Sequence, residues 1–247
     1  RLVRLGIDPA KITVVSNTSS KKFRNHWSIN QNLMLKYAKH YTVSYIGGLS
    51  PPRGVDVAIK SIGLVIDKIP SLKFLIVGGG EKKCVNSLRK LTKDLELEER
   101  VEFLGQRPFE EVPTYIRLSQ VGLIPYQASK QTHASAPHKM FQYMLMGVPL
   151  IVSDCASIKR IVGQANCGVT FKAGDPRSLA EKILSLYSDA DLAKSLGENG
   201  RRAAEGTFSW EVDAERLISI YKKISRARKR FALASYYLNS YNTSMSA

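Results

Sequence analysis

The chain has 247 residues, 44% hydrophobic and 23% charged, ordinary globular proportions that exclude a disordered, collagen-like or disulfide-scaffold chain. No apolar run approaches the ~18 residues that a membrane-spanning helix needs, and the length supports one large domain or two small ones. Charge is the unusual quantity: 37 Lys and Arg against 21 Asp and Glu give +16, a field that attracts nucleic acid, anionic lipid or a phosphorylated small molecule.

The opening, RLVRLGIDPAKITVVSN, starts without Met or a signal-peptide pattern and reads as the end of something already under way, so a piece of a longer protein is expected. From residue 42, strand-like and helix-like stretches alternate. TVSYI (42–46) stops at Gly47-Gly48, and 54–67 spaces its apolar residues at helical intervals. LKFLIV (72–77) ends at Gly78-Gly79-Gly80, and 82–95 again reads as an amphipathic helix. VEFLG (101–105), a short helix through EEVPTYIRLS, VGLIPY (121–126), a helix near 137–146, PLIVSD (149–154), a short helix near 157–162 and GVTF (168–171) follow. The rest is mostly helical to about Arg230. The apolar runs are short, bounded by Gly, Pro or Asp, and continuous rather than alternating, as in a parallel sheet covered on both faces. Strand–helix alternation predicts a doubly wound α/β fold. Ligands of such sheets sit outside the carboxyl ends of the strands, which directs attention to loops 47–53, 78–82, 105–109, 125–138 and 153–157.

Three segments in those loops carry candidate chemistry. In Gly47-Gly48-Leu49-Ser50-Pro51-Pro52-Arg53-Gly54, the glycine pair allows close backbone approach and Arg53 offers a fork of donors for phosphate. The same turn reads equally as a tight strand-to-helix connection, since neither GxGxxG nor a Walker loop is present. Gly78-Gly79-Gly80 could form an anion-accepting nest or only let a helix pack close to its strand. In His133–Pro149, Ser135 suits an N-cap and Pro137 a first helical turn, with Gly147 as the stop. A helix N-terminus there favours an anion, whereas Lys139 in the first turn opposes the dipole unless an anion is bound. His26, His40, His133 and His138 lack metal-ligand spacing, and Cys84, Cys155 and Cys167 are widely spaced without CxxC. No metal is expected, and free thiols indicate a reducing, cytoplasmic compartment.

Taken in order, IDPAKITVVSN, YIGGLSPPRGVD, LKFLIVGGGE, VEFLGQRPFEEVPTYI, VGLIPY, APHKMFQYMLMGVPLIVSD and GVTFKAGDPRSLAEKI resemble the C-terminal half of GT-B glycosyltransferases of the retaining family 4 (glycosyl transferases group 1). The resemblance covers roughly residues 5–225 and implies a Rossmann-like domain, half of a GT-B architecture, that holds a nucleotide-diphosphate sugar. It implies four segments. Residues 1–40 would be the tail of a missing N-terminal domain and the linker, and 41–205 the donor-binding domain. Residues 206–232 would be a helix returning toward the N-terminal domain, and 233–247 a frayed tail.

Carried over by residue, the resemblance places Gly47 and Gly48 under the diphosphate and gives Arg53 and Lys139 catalytic contact with the leaving phosphates. In the segment Ser135 to His138, Ser135, Ala136 and His138 would present backbone N–H groups to the distal phosphate, with Pro137, which has none, between them. Gln142 would reach the ribose, Gly79 and Gly80 would line the donor site, and Arg107, in Gln106-Arg107-Pro108, would lie at the base. The family's acidic pair falls on Ala134 and Gln142, the Arg expected after the first glycine is Gly48, and Arg160 stands where many members have Glu. No cofactor or metal is implied; a UDP- or GDP-sugar is the substrate, and the acceptor is a glycan or a lipid-linked molecule.

The implied activity is hexosyl transfer with retention of configuration. A second reading is a non-catalytic nucleotide-binding or scaffold module with the same half-fold, suggested by Ala134 and Gly48. Nucleic-acid binding gains from +16 but lacks interleaved aromatics or a helix-turn-helix signature. The basic run KKISRARKR (222–230) suggests an anionic membrane surface as a further partner, or simply a solvated helix end.

Overall fold

The computed structural model describes residues 2–25 and 27–226, which fall into two compact units: Asn17–Ser209, and 2–16 together with 210–226. In the first unit, short helices α1 (Lys22–Asn25) and α2 (Gln31–Tyr37) precede β1 (Tyr41–Ile46), α3 (Val55–Gly63), β2 (Leu72–Val77), α4 (Lys82–Asp94) and β3 (Val101–Gly105). Then come α5 (Val112–Arg117), β4 (Val121–Ile124), α6 (Lys130–Ala134), α7 (His138–Leu145) and β5 (Leu150–Ser153). The unit closes with α8 (Ala156–Ala165), β6 (Gly168–Phe171), α9 (Pro176–Ser188) and α10 (Ala190–Glu205).

All strand pairs are parallel, in the order β3-β2-β1-β4-β5-β6. The expected doubly wound sheet is therefore present. Its strand residues alternate between two cores even where the sequence is continuously apolar. Leu75 and Val77 join Phe23, Tyr37, Met140 and Ile158 in one core, while Phe74 and Ile76 join Ile59, Leu88 and Leu179 in the other. α10 contributes Leu196 to one core and Ala204 to the other.

The order reverses between β1 and β4. After β1 the chain winds outward to β2 and β3, then returns to place β4 on β1's other side. The crevice at the carboxyl ends of β1 and β4 is thus the topological switch point, where an open α/β sheet leaves room for a ligand.

The boundary expected at residue 41 needs correction. The compact unit starts at Asn17, because Phe23 of α1 and Tyr37 of α2 are buried in its core. In the second unit, residues 2–16 contain two 3-10 turns, Val3–Leu5 and Pro9–Lys11, and residues 210–226 are helical. Within that helix Arg216 pairs with Asp213 at 3.0 Å. The remainder of the expected 206–232 helix, the end of the basic run and the 233–247 tail lie outside the described residues. No helix among the described residues is long and apolar enough to cross a membrane, and the three cysteines are free thiols.

Candidate active site

The loops at the switch point are tied to one another by backbone hydrogen bonds. Leu49 N–H donates to the Gly79 carbonyl at 2.8 Å, joining the loops after β1 and β2, and Gln127 N–H donates to the Pro52 carbonyl at 3.0 Å, joining those after β1 and β4. Gly54 makes the second junction possible. Its φ of +65° is left-handed, and a Cβ there would lie 1.8 Å from the Pro125 carbonyl oxygen. Farther along, the Ala156 N–H at the start of α8 donates to His133 Nδ1 at 3.0 Å, so α6 caps the helix that follows β5.

These junctions enclose a cavity of about 300 Å3 lined by Tyr45, Gly47, Gly48, Arg53, Tyr126, Ser135, Pro137, His138 and Lys139. Two cations meet in it. The Lys139 Nζ lies over the Tyr45 ring at 3.6 Å from its centroid and 5.4 Å from that of Tyr126, while the Arg53 guanidinium stacks on Tyr126 at 4.6 Å. Gly47, at φ +130°, leaves space for the amine: a Cβ there would lie 3.2 Å from Lys139 Nζ. Among the described residues neither cation forms an ion pair with a carboxylate. Lys139 keeps part of its surface open while its amine lies deep among protein atoms, and burial, with the Arg53 guanidinium beside it, holds the amine well below the usual lysine range.

The remaining wall adds polarity without negative charge. α7 starts beside the cavity with Pro137 as its N-cap and no side chain capping its first amides. Those amides form the positive end of an eight-residue helix. His138, the first helical residue, is fixed from behind by Ser19, whose Oγ lies 3.0 Å from its Nε2. Burial pushes its imidazole below the usual histidine range, against the opposing hydrogen bond with the Thr18 backbone. Tyr45 donates its hydroxyl to the Gly48 carbonyl at 2.7 Å, fixing the glycine turn. Burial raises the phenols of Tyr45 and Tyr126, so both stay protonated.

Of the residues singled out in the sequence, Gly47, Gly48, Arg53, Ser135, Pro137, His138 and Lys139 share this cavity. Gly79 and Gly80 do not line it. They lie against the loop after β1, where the Gly79 carbonyl accepts from Leu49 N–H and a Cβ on Gly80 would sit 2.2 Å from the Leu49 carbonyl oxygen, so the smallness of Gly80 serves loop contact. Arg107 is exposed beyond β3, Ala136 packs toward the core, and Gln142, one turn into α7, is buried. Ser135 is not the N-cap of α7. It is the C-cap of α6, which starts with a Ser129–Thr132 capping box, and the N-cap of the next helix is Pro137, two residues further on. Sequence reasoning did not single out Tyr45, Tyr126 or Ser19. For the tyrosines the available signal was position, at the ends of TVSYI and VGLIPY where two strands reach the same crevice.

Comparison with known proteins extends the description. The family model described as glycosyl transferases group 1 matches residues 30–203. The D-inositol 3-phosphate glycosyltransferase of Corynebacterium glutamicum (strain R) is 26% identical over 183 residues, which cover 72% of this chain and 42% of that protein. The chain spans about half the length of the curated relatives it matches. Among solved structures, Anabaena Alr3699/HepE in complex with UDP-glucose superposes with a TM-score of 0.76 at 18% identity, over 90% of this chain and 60% of that one. The C-terminal domain of the group 1 protein LpcC from Francisella tularensis gives 0.63 at 14% identity, over 77% of this chain and 98% of that one. At these identities the structural matches speak for the fold alone.

Proposed function

The chain belongs to the glycosyl transferases group 1 family, and from that premise we propose that it forms the donor-binding half of a retaining glycosyltransferase, with its cavity as the seat of a nucleotide-sugar diphosphate. The observation that carries this reading is the convergence of Arg53, Lys139 and the first amides of α7 on one hollow at the switch point, without a carboxylate to neutralise them.

In the reaction, the bond between the sugar's anomeric carbon and the diphosphate oxygen breaks. The oxygen gains negative charge while the sugar becomes oxocarbenium-like. Arg53 meets that growing charge from the loop after β1, and Lys139 and the first amides of α7 meet it from the start of that helix. Such preorganised donors are worth about 2.7–4 kcal/mol each, or ~10²–10³ in rate. Protein groups supply the positive potential, so the reading requires no metal. The UDP-glucose complex of the similar Anabaena protein supports a sugar nucleotide as donor; the proposed donor is UDP- or GDP-linked, and the acceptor a glycan or a lipid-linked molecule. An N-terminal domain outside this sequence would bind that acceptor, and the basic run at 222–230 would face an anionic membrane surface.

Ala134 favours a second reading, nucleotide binding without turnover. It ends α6 near the cavity and has no group with which to hold a sugar hydroxyl. Turnover by the full-length protein with a panel of sugar nucleotides separates the two.

Calorimetric titration of UDP, GDP and ADP tests the site itself. At least one should bind, and Arg53→Ala should weaken it by about 10²-fold, the loss of one preorganised charged donor. Unchanged affinity in the variant contradicts the assignment.

A further inference from the structure

The surroundings of Lys139 differ from those of an ordinary phosphate-binding lysine. The titratable and charged groups lining its cavity are Tyr45 from β1, Arg53 from the following loop, Tyr126 from the loop after β4 and His138 from its own helix. None is an acid. Both phenols stay protonated and the imidazole is held toward its neutral form. The guanidinium is a like charge that contacts the same Tyr126 ring as the amine. The α7 N-terminus adds partial positive charge. The Tyr45 ring, 3.6 Å away, and the Tyr126 ring, 5.4 Å away, favour an ammonium, and such contacts are weaker than an ion pair. The protein therefore gathers positive potential around an amine and provides no counter-charge.

We infer that binding of a phosphate-bearing ligand in this cavity is coupled to uptake of a proton at Lys139 Nζ. The inference rests on the phosphate-binding reading given above. In the ligand-free protein part of the population holds a neutral amine. When a phosphate group binds, solvent delivers a proton to Nζ, and the complex holds an ammonium against a phosphate oxygen.

Burial and the neighbouring guanidinium act in the same direction on the free amine, depressing its proton affinity. The bound anion opposes both effects, because an adjacent negative charge favours the ammonium. Between the free and bound titration ranges each binding event takes up a proton, so affinity falls as pH rises, by up to tenfold per pH unit. An arginine at this position stays charged in both states and has no proton to take up.

The test is calorimetric titration of UDP, GDP and ADP into the full chain at about pH 8, where the ligand's terminal phosphate (pKa about 6) is fully ionised. Two buffers of different ionisation enthalpy, Tris and Hepes, are compared. For the unmodified chain the binding heat should differ between buffers in proportion to the proton taken up, by at most the heat of one buffer proton. Lys139→Arg should bind with equal heat in both buffers and with affinity level across that pH range. Lys139→Met should bind at least tenfold more weakly, also with equal heats. Equal heats for the unmodified chain overturn the inference without recourse to any variant, as does a buffer dependence that persists in Lys139→Arg. Binding without proton uptake removes the inference and leaves the phosphate site standing. Absence of binding by every diphosphate, in calorimetry and in thermal shift, removes both.

Discussion

Tyr45 joins two parts of the site that are far apart in sequence. Its ring lies under the Lys139 amine from α7, and its hydroxyl holds the Gly48 carbonyl of the loop that carries Arg53. Tyr45→Phe keeps the ring and removes the hydrogen bond to the carbonyl of Gly48, itself an exposed residue. The expected cost is about 0.5–1.5 kcal/mol of stability, read as a lower urea midpoint at unchanged slope, together with weaker diphosphate binding as the turn loosens. A midpoint equal to that of the unmodified chain would show that the turn holds without the tyrosine. Residues of this kind are the hardest to read from sequence. An aromatic in TVSYI looks like core, and Tyr45 is indeed fully buried in one core cluster while also serving the cavity. Ser19 and His138 meet across 119 positions, and no local pattern joins them. Arg53 and Lys139 were legible because each breaks a local expectation: an arginine in a Pro-rich turn beside a glycine pair, and a lysine in a first helical turn.

At the scale of elements, the site depends on how α7 sits on the sheet. Tyr143 of α7 lies across Gly122 of β4, where an added Cβ would come within 2.5–2.8 Å of the ring. Its hydroxyl lies 2.9 Å from Ser44 Oγ and donates to the Ser44 carbonyl, and Ser119 donates to Ser44 Oγ at 2.7 Å. This buried network pins the middle of the helix to β1 and β4 and so fixes where its N-terminus points. Gly122→Ala would push the ring off the strand in a packed core, at a cost of about 1–3 kcal/mol. The same displacement should lower diphosphate affinity even though residue 122 does not line the cavity. Thermal unfolding and calorimetry on the one variant check both effects; a variant as stable as the unmodified chain would show that the ring has room to move. Most element boundaries followed from the apolar runs and their Gly and Pro limits. LKFLIV, VEFLG and GVTF match β2, β3 and β6 end to end. The start of α7 did not, because Ser129 and Thr132 form a capping box that nucleates the short α6, leaving Ser135 and Pro137 in extended backbone between two helices.

For the molecule as a whole, the strand order turns separate phosphate-friendly motifs into one site. Continuous apolar strands announced a covered parallel sheet, and the resemblance supplied its Rossmann-like identity. Which loops share a crevice depends on strand order, and that emerged only from the fold, where β4 lies beside β1 rather than beside β3. Loops 47–54 and 125–138 are thereby brought together, while the Gly78–Gly80 turn becomes support for its neighbour. The excess of +16 is a property of the entire sequence, and only the part of it at Arg53 and Lys139 is focused in the cavity.

The central claim is that this cavity receives a diphosphate. A crystal structure of the chain with whichever nucleoside diphosphate binds most tightly tests it most directly. Phosphate oxygens should lie within hydrogen-bonding distance of Lys139 Nζ, the Arg53 guanidinium and the first amides of α7. A diphosphate bound at another face, with Arg53 and Lys139 making no contact to it, would overturn the assignment of this cavity.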